Sequence, residues 1–267
     1  MTSRIQNKFS ELNNKGQRAL VTYVMVGYPS YKDTLSAVRG LIQGGADIIE
    51  LGFPFSDPLA DGPVIQHAST ISLEKGTKMK QFLYLIEKIR SESQIPLVLM
   101  TYTNILYNKG YEKFFKLAKR AGLDGIITPD MTVEESKEYL KAAKKHDLDT
   151  IFLVSPNTSK QRLYEIVKQT TGFLYLVAVY GTTGVQNKIQ SYTISALKNT
   201  KKIAKGKVPV GIGFGISTPK DVKSYIKHGA DAAIVGSAII KIIEKTPSPK
   251  IQSEVAKFTK QLKLATN

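Results

Sequence analysis

Short, nearly continuous apolar runs alternate along the chain with longer stretches in which apolar residues recur every three or four positions. The runs are LVTYVMV (20–26), DIIELG (47–52), PLVLMTY (96–102), DGIITP (124–129), DTIFLV (149–154), FLYLVAV (173–179), VPVGIGFG (208–215) and DAAIVG (231–236). They are rich in β-branched residues and lack the in–out alternation of a half-exposed strand, which is the pattern of parallel strands covered on both faces. Parallel pairing requires a crossover between strands, and the amphipathic stretches provide helices for it. Eight such units in 267 residues fit a closed (β/α)8 barrel, the TIM-barrel class of α/β folds, as a single domain over residues 1–267. A doubly wound open sheet shares the local pattern; the count of eight favours the barrel.

The punctuation supports repeated αβ units. GGADIIELG, RAGLDGIIT and HGADAAIVG each place a glycine shortly before an aspartate that opens a strand, the glycine ending a helix in a left-handed conformation. Before the last strand, Thr218, Pro219 and Asp221 form the start of a capped helix and Gly229 its stop. An extra N-terminal helix is expected near residues 4–13, with Ile5, Phe9 and Leu12 on one face, covering the N-terminal end of the barrel.

Composition narrows the chemistry. The apolar runs fall far short of the roughly 20 residues that span a bilayer, and MTSRIQNKFSELNNKG lacks the apolar segment of a signal peptide. A soluble cytoplasmic protein is expected. With no cysteine, and with His67, His146 and His228 scattered, zinc chemistry is effectively excluded and no metal is expected. The net charge of +16 comes from lysines spread along helical stretches without interleaved aromatics. That is a solvated surface that draws in anionic substrates, rather than a nucleic-acid interface.

In a barrel the active site lies on the loops after the strands, and the run at 47–52 ends unusually. IIELGFPFSDPLADGP (48–63) carries Glu50 near the strand end, then Pro54 and Pro58, and closes with Asp61-Gly62-Pro63. An inward carboxyl there is desolvated, its pKa is raised, and it becomes a general acid/base candidate; the structural alternative is a buried ion pair with a lysine. Prolines make the loop a shaped one. Asp57 and Asp61 both sit on it, and spacing alone does not choose between a chemical role and an Asx-turn for either. The glycine-rich turns GIGFGIST and VGSAII after the last two strands fit a phosphate site built from backbone N–H groups. Gly181 and Gly184 fit a loop that folds over substrate and equally a plain surface turn.

ELGFPFSDPLADGP (50–63), together with GYPS (27–30), GTTG (181–184), GFGIS (213–217) and GSAIIKIIE (236–244), resembles the tryptophan synthase α-subunit family over residues 1 to about 245. The resemblance implies a lyase that cleaves indole-3-glycerol phosphate to indole and glyceraldehyde 3-phosphate in tryptophan biosynthesis. It also implies a β-subunit partner in an α2β2-type allosteric complex, with no cofactor in this chain and pyridoxal phosphate in the partner. By the same matching, Glu50 is the acid/base and Asp61 the acceptor of the indole N–H. The phosphate lies on Gly184, Phe214, Gly215, Gly236 and Ser237. Tyr23, Met100, Tyr102, Pro129, Leu153 and Tyr175 line the indole pocket, and Thr183 orders the catalytic loop.

This chain departs from the family pattern in several places. Tyr23 stands where phenylalanine is common, Pro129 where a small residue is, Val179-Tyr180 where polar residues precede the loop glycine, and DMTVEES (130–136) lacks a proline. Another phosphosugar barrel enzyme is the nearest alternative, but a Schiff-base aldolase needs a strand lysine and the runs carry none. A protein that mainly activates its partner is the alternative from a different class.

Overall fold

Seven of the eight apolar runs yield one strand each and the run at 149–154 yields two: β1 (Ala19–Met25), β2 (Ile48–Gly52), β3 (Leu97–Met100), β4 (Gly125–Ile127), β5 (Asp149–Ile151), β6 (Leu153–Val154), β7 (Leu174–Val177), β8 (Val210–Gly213) and β9 (Ala232–Val235). The computed structural model describes residues 2–178 and 190–267. All pairings are parallel and the strand order is β5-β4-β3-β2-β1-β9-β8-β7-β6. The run at 149–154, expected as one strand, is divided at Phe152. β5 pairs with β4 and β6 pairs with β7. The two ends of the order are therefore halves of one extended segment, joined covalently through Phe152, whose carbonyl accepts from the Tyr175 N–H at 3.0 Å. This closes the barrel and excludes the doubly wound alternative.

Strand alternation divides the apolar side chains into two cores. Val21, Ile48, Val98, Ile127, Ile151 and Ile234 share the barrel interior, while Leu20, Ile49, Leu97 and Leu99 pack outward in the layer under the helices. The interior cluster is completed by the N-terminal helix Arg4–Asn14, whose Ile5, Phe9 and Leu12 are buried. A capping box between Ser3 and Gln6 starts this helix, and the Ser3 hydroxyl also bonds to Asp149 at the foot of β5. Phe9 meets Phe173 with ring centroids 5.9 Å apart. Ile5 enters because Gly125 has no side chain: a Cβ there would lie 2.9 Å from its Cδ1. Ile5→Ala should therefore cost about 2–4 kcal/mol of stability through lost transfer energy and an unfilled cavity. A denaturant midpoint unchanged from the parent's would contradict this closing role.

The repeated Gly–Asp turns have a common mechanism. Gly45, Gly122 and Gly229 all have positive φ, and each following aspartate reaches back to the start of an adjacent strand. Asp47 Oδ2 accepts from the Leu20 N–H at 2.7 Å, Asp124 Oδ2 from Leu97 at 2.8 Å, and Asp231 Oδ2 from Val210 at 2.8 Å. Lys263, Arg90 and Lys201 respectively compensate the charges. These aspartates hold the N-terminal rim, leaving the opposite rim free for chemistry. The helix Pro219–Lys227 has the expected capping box between Thr218 and Asp221.

Candidate active site

Glu50 is two residues beyond the inward-facing Ile48 on β2, so the strand's period of two carries its side chain into the barrel. It is 1 % exposed, and its neighbours in register are Tyr23 of β1 and Val98 of β3. Among the described residues its Oε1 finds no hydrogen-bond partner and no lysine or arginine pairs with it. The ion-pair alternative is thus not what the structure contains. Burial alone pushes the carboxyl up to about 8, because the charged form has lost its water without gaining a compensating charge. Glu50 consequently carries a proton at neutral pH.

The loop after β2 treats its two aspartates differently. Asp57 is exposed and Asp61 is 5 % exposed. The loop is pinned at two points: Ser69 Oγ accepts from the Phe55 N–H and donates to the Phe55 carbonyl, each at 3.0 Å, and the Asp61 N–H donates to the Pro58 carbonyl at 3.0 Å. Pro63 then occupies the first turn of the helix Pro63–Glu74. The proline spacing that breaks strand and helix alike thus turns the chain back and drops Asp61 over the barrel mouth. The Tyr102 hydroxyl donates to Asp61 Oδ2 at 3.1 Å and accepts from the Ala60 N–H at 3.1 Å. Burial pushes Asp61 up to about 6, against the opposing pull of the Tyr102 hydrogen bond. Two carboxyls in one site are therefore tuned apart, one protonated and one ionised near pH 7, which is the arrangement an acid and an anionic stabiliser require.

Two tyrosines complete the wall, each seated in a notch left by a glycine. The Tyr23 hydroxyl lies over Gly52, where a Cβ would stand 2.0 Å from it, and the Tyr175 hydroxyl lies over Gly213, where the distance would be 2.2 Å. Both hydroxyls are pushed upward, first by burial and then by the carboxylates. Asp61 acts on Tyr23 more than Glu50 does, and on Tyr175 the order is reversed. One ring thus lies electrostatically nearer each carboxyl. Tyr175 also packs edge to face on Phe214, with ring centroids 5.9 Å apart at 70°. Met100, which closes β3, and Leu153, which opens β6, are half-buried and pack on the interior cluster. Pro129 and Leu153 line a cleft of about 290 Å³ that runs past Phe152 toward Arg162.

After β8, Phe214 and Gly215 adopt consecutive positive φ values of 70° and 76°, turning the backbone sharply beneath Tyr175. Gly236 precedes the helix Ser237–Lys245, which has no side-chain cap. Pairing of β8 with β9 brings the two turns together. The positive end of the helix and the turn's amides form a surface suited to an anion. Thr183 and Gly184 lie outside the described residues. Among the described residues no group of His, Asp and Glu is placed to hold a metal ion, and no helix is long and apolar enough to cross a membrane.

Sequence reasoning missed how the loops hold one another. Tyr102 and Asp61 are 41 positions apart, and no spacing signals their bond. Phe55 stacks on Tyr102 with centroids 5.1 Å apart. Asp130, after β4, accepts from the Thr103 N–H and hydroxyl, each at 2.9 Å, at the start of the helix Thr103–Lys109.

A family model described as "Tryptophan synthase alpha chain" matches residues 9–267, extending past residue 245, where the motif resemblance stops. The tryptophan synthase alpha chain of Methanosarcina barkeri is 44% identical over 260 residues, covering 97% of this chain and 96% of that one. That of Carboxydothermus hydrogenoformans is 42% identical over 252 residues, covering 94% and 93%. Among solved structures, one of tryptophan synthase from Mycobacterium tuberculosis aligns with a TM-score of 0.91 at 30% identity, covering 100% and 99% of the two chains. A tryptophan synthase complex from Pyrococcus furiosus aligns with a TM-score of 0.85 at 36% identity, covering 92% and 98%.

Proposed function

That the chain belongs to the tryptophan synthase α-chain family, the lyases that cleave indole-3-glycerol phosphate to indole and glyceraldehyde 3-phosphate, is the premise from which we propose how its residues act. Glu50 gives its proton to C3 of the indole ring, making the ring a better leaving group. Asp61 accepts the indole N–H and offsets the positive charge that develops on nitrogen. The Glu50 carboxylate then takes the proton of the C3′ hydroxyl. The electron pair of the C3–C3′ bond returns to the ring, C3′ becomes the aldehyde carbon, and Glu50 ends protonated as it began.

Tyr23, Met100, Tyr102, Pro129, Leu153 and Tyr175 form the indole wall. The substrate phosphate rests on the backbone N–H groups of Gly184, Phe214, Gly215, Gly236 and Ser237, with the Ser237 hydroxyl assisting, and Thr183 orders the loop that covers the site. The chemistry asks for no metal or cofactor in this chain. Residues 1–267 act as one barrel domain, and the partner is a β subunit that holds pyridoxal phosphate and consumes the indole in an α2β2-type complex. The observation that carries the reading is the pair of buried carboxyls at one barrel mouth, raised to about 8 and about 6. Indole release from indole-3-glycerol phosphate by the purified chain, alone and with a β subunit, is the test. Release in either arm is expected to rise through pH 6 and fall beyond pH 8, and no release in both would overturn the assignment.

A further inference from the structure

We infer that Tyr102 is a positioning residue for the cleavage reaction, fixing the direction of the Asp61 carboxylate through a hydroxyl whose single proton has one place to go. The inference rests on the reading of Asp61 as the anion beside the indole nitrogen. A phenol has one proton to donate and lone pairs to accept with. The Ala60 N–H, at 3.1 Å, occupies the accepting side, which leaves the proton for Asp61 Oδ2 at 3.1 Å.

The ring itself has little freedom. Tyr102 is 4 % exposed, Phe55 stacks on it at 5.1 Å, and its backbone caps the helix Thr103–Lys109, whose first N–H is held by Asp130 at 2.9 Å. The loop after β2 is thereby tied to the phenol, and the loop after β4 to the next residue, Thr103. Glu50 needs no such device because a strand fixes it. Asp61 lies beyond the strand end, and its neighbour in the chain, Ala60, is bound to the same hydroxyl.

Among the described residues, the groups coupled electrostatically to Asp61 are Tyr23 from β1, Tyr102 itself and Tyr175 from β7, and Glu50 from β2 acts on the same Tyr23 and Tyr175. None of them is a cation. The Tyr102 hydrogen bond favours the Asp61 anion, against burial that disfavours it. Removing the hydroxyl therefore raises the Asp61 pKa, and the anion is lost at a higher pH than before.

The test is the pH dependence of kcat/KM for indole release in the parent, Tyr102→Phe and Asp61→Asn, with folding checked by circular dichroism. Tyr102→Phe keeps the ring on Phe55, and it should move the acid limb up by about one pH unit, lowering activity about fivefold at pH 6 with recovery near pH 8. Replacing Tyr102 by 3-fluorotyrosine, a stronger donor, should move the limb the opposite way. A uniform loss at every pH, or a limb that does not move in either variant, would overturn the positioning role. Asp61→Asn separates the two claims: full activity with an unchanged limb in that variant removes the role of Asp61 itself. Loss there, with no shift in the Tyr102 variants, removes only the inference.

Discussion

Glu50→Gln should stop indole release almost completely, lowering kcat by about 10³-fold or more, while making the protein more stable at alkaline pH. The first effect follows from removing the only proton the proposed reaction passes to C3. The second follows from linkage. The Glu50 carboxyl has a folded-state pKa of about 8 against 4.5 unfolded, so between those values the folded state holds the proton that the unfolded state has released. Stability therefore falls as pH rises through that window. A shift of this size corresponds to about 4 kcal/mol by pH 8, taken as an upper bound for a relaxing site. Glutamine cannot ionise and escapes that loss, although its amide inherits a site where Oε1 already lacks a partner. At pH 5 the two proteins should unfold at similar temperatures, and at pH 8.5 the variant should unfold several degrees higher. Parallel curves across that range would mean that Glu50 is not desolvated as the structure places it.

The same residue shows how much a chain of this kind discloses before it is folded. Eight apolar runs led to the barrel, and the period of two that points Ile48 inward also points Glu50 inward, so a buried carboxyl there was legible from a strand pattern alone. Thr218 and Asp221 were equally readable, because a capping box is local. The division at Phe152 was not, since an apolar run does not record which of its residues pairs with β4 and which with β7. Nor was which of Asp57 and Asp61 is buried, since they share a loop and a residue type. That difference is made by contacts from Tyr102, 41 positions from Asp61, and by a proline turn whose direction depends on what it packs against. Notches such as Gly52 and Gly213 belong with these: a glycine at a strand end reads as a weak strand residue until the neighbouring tyrosine is seen to need the space.

Asp61→Asn should leave substrate affinity nearly intact and lower kcat by about 10²–10³-fold. Asparagine keeps a carbonyl oxygen that can accept from the indole N–H and from Tyr102, so contacts made equally in the ground state survive and KM changes little. The lost quantity is the negative charge, which matters only when the ring nitrogen becomes positive. That charge is worth more here than at a surface, because Asp61 is 5 % exposed and a buried site screens weakly. The variant should also lose the parent's acid limb, since the group with a pKa of about 6 no longer titrates, while the decline past pH 8 set by Glu50 remains. Steady-state kinetics from pH 5 to 9 decide the matter. A large rise in KM with kcat preserved would make Asp61 a binding group rather than the anion that stabilises the cleaving ring.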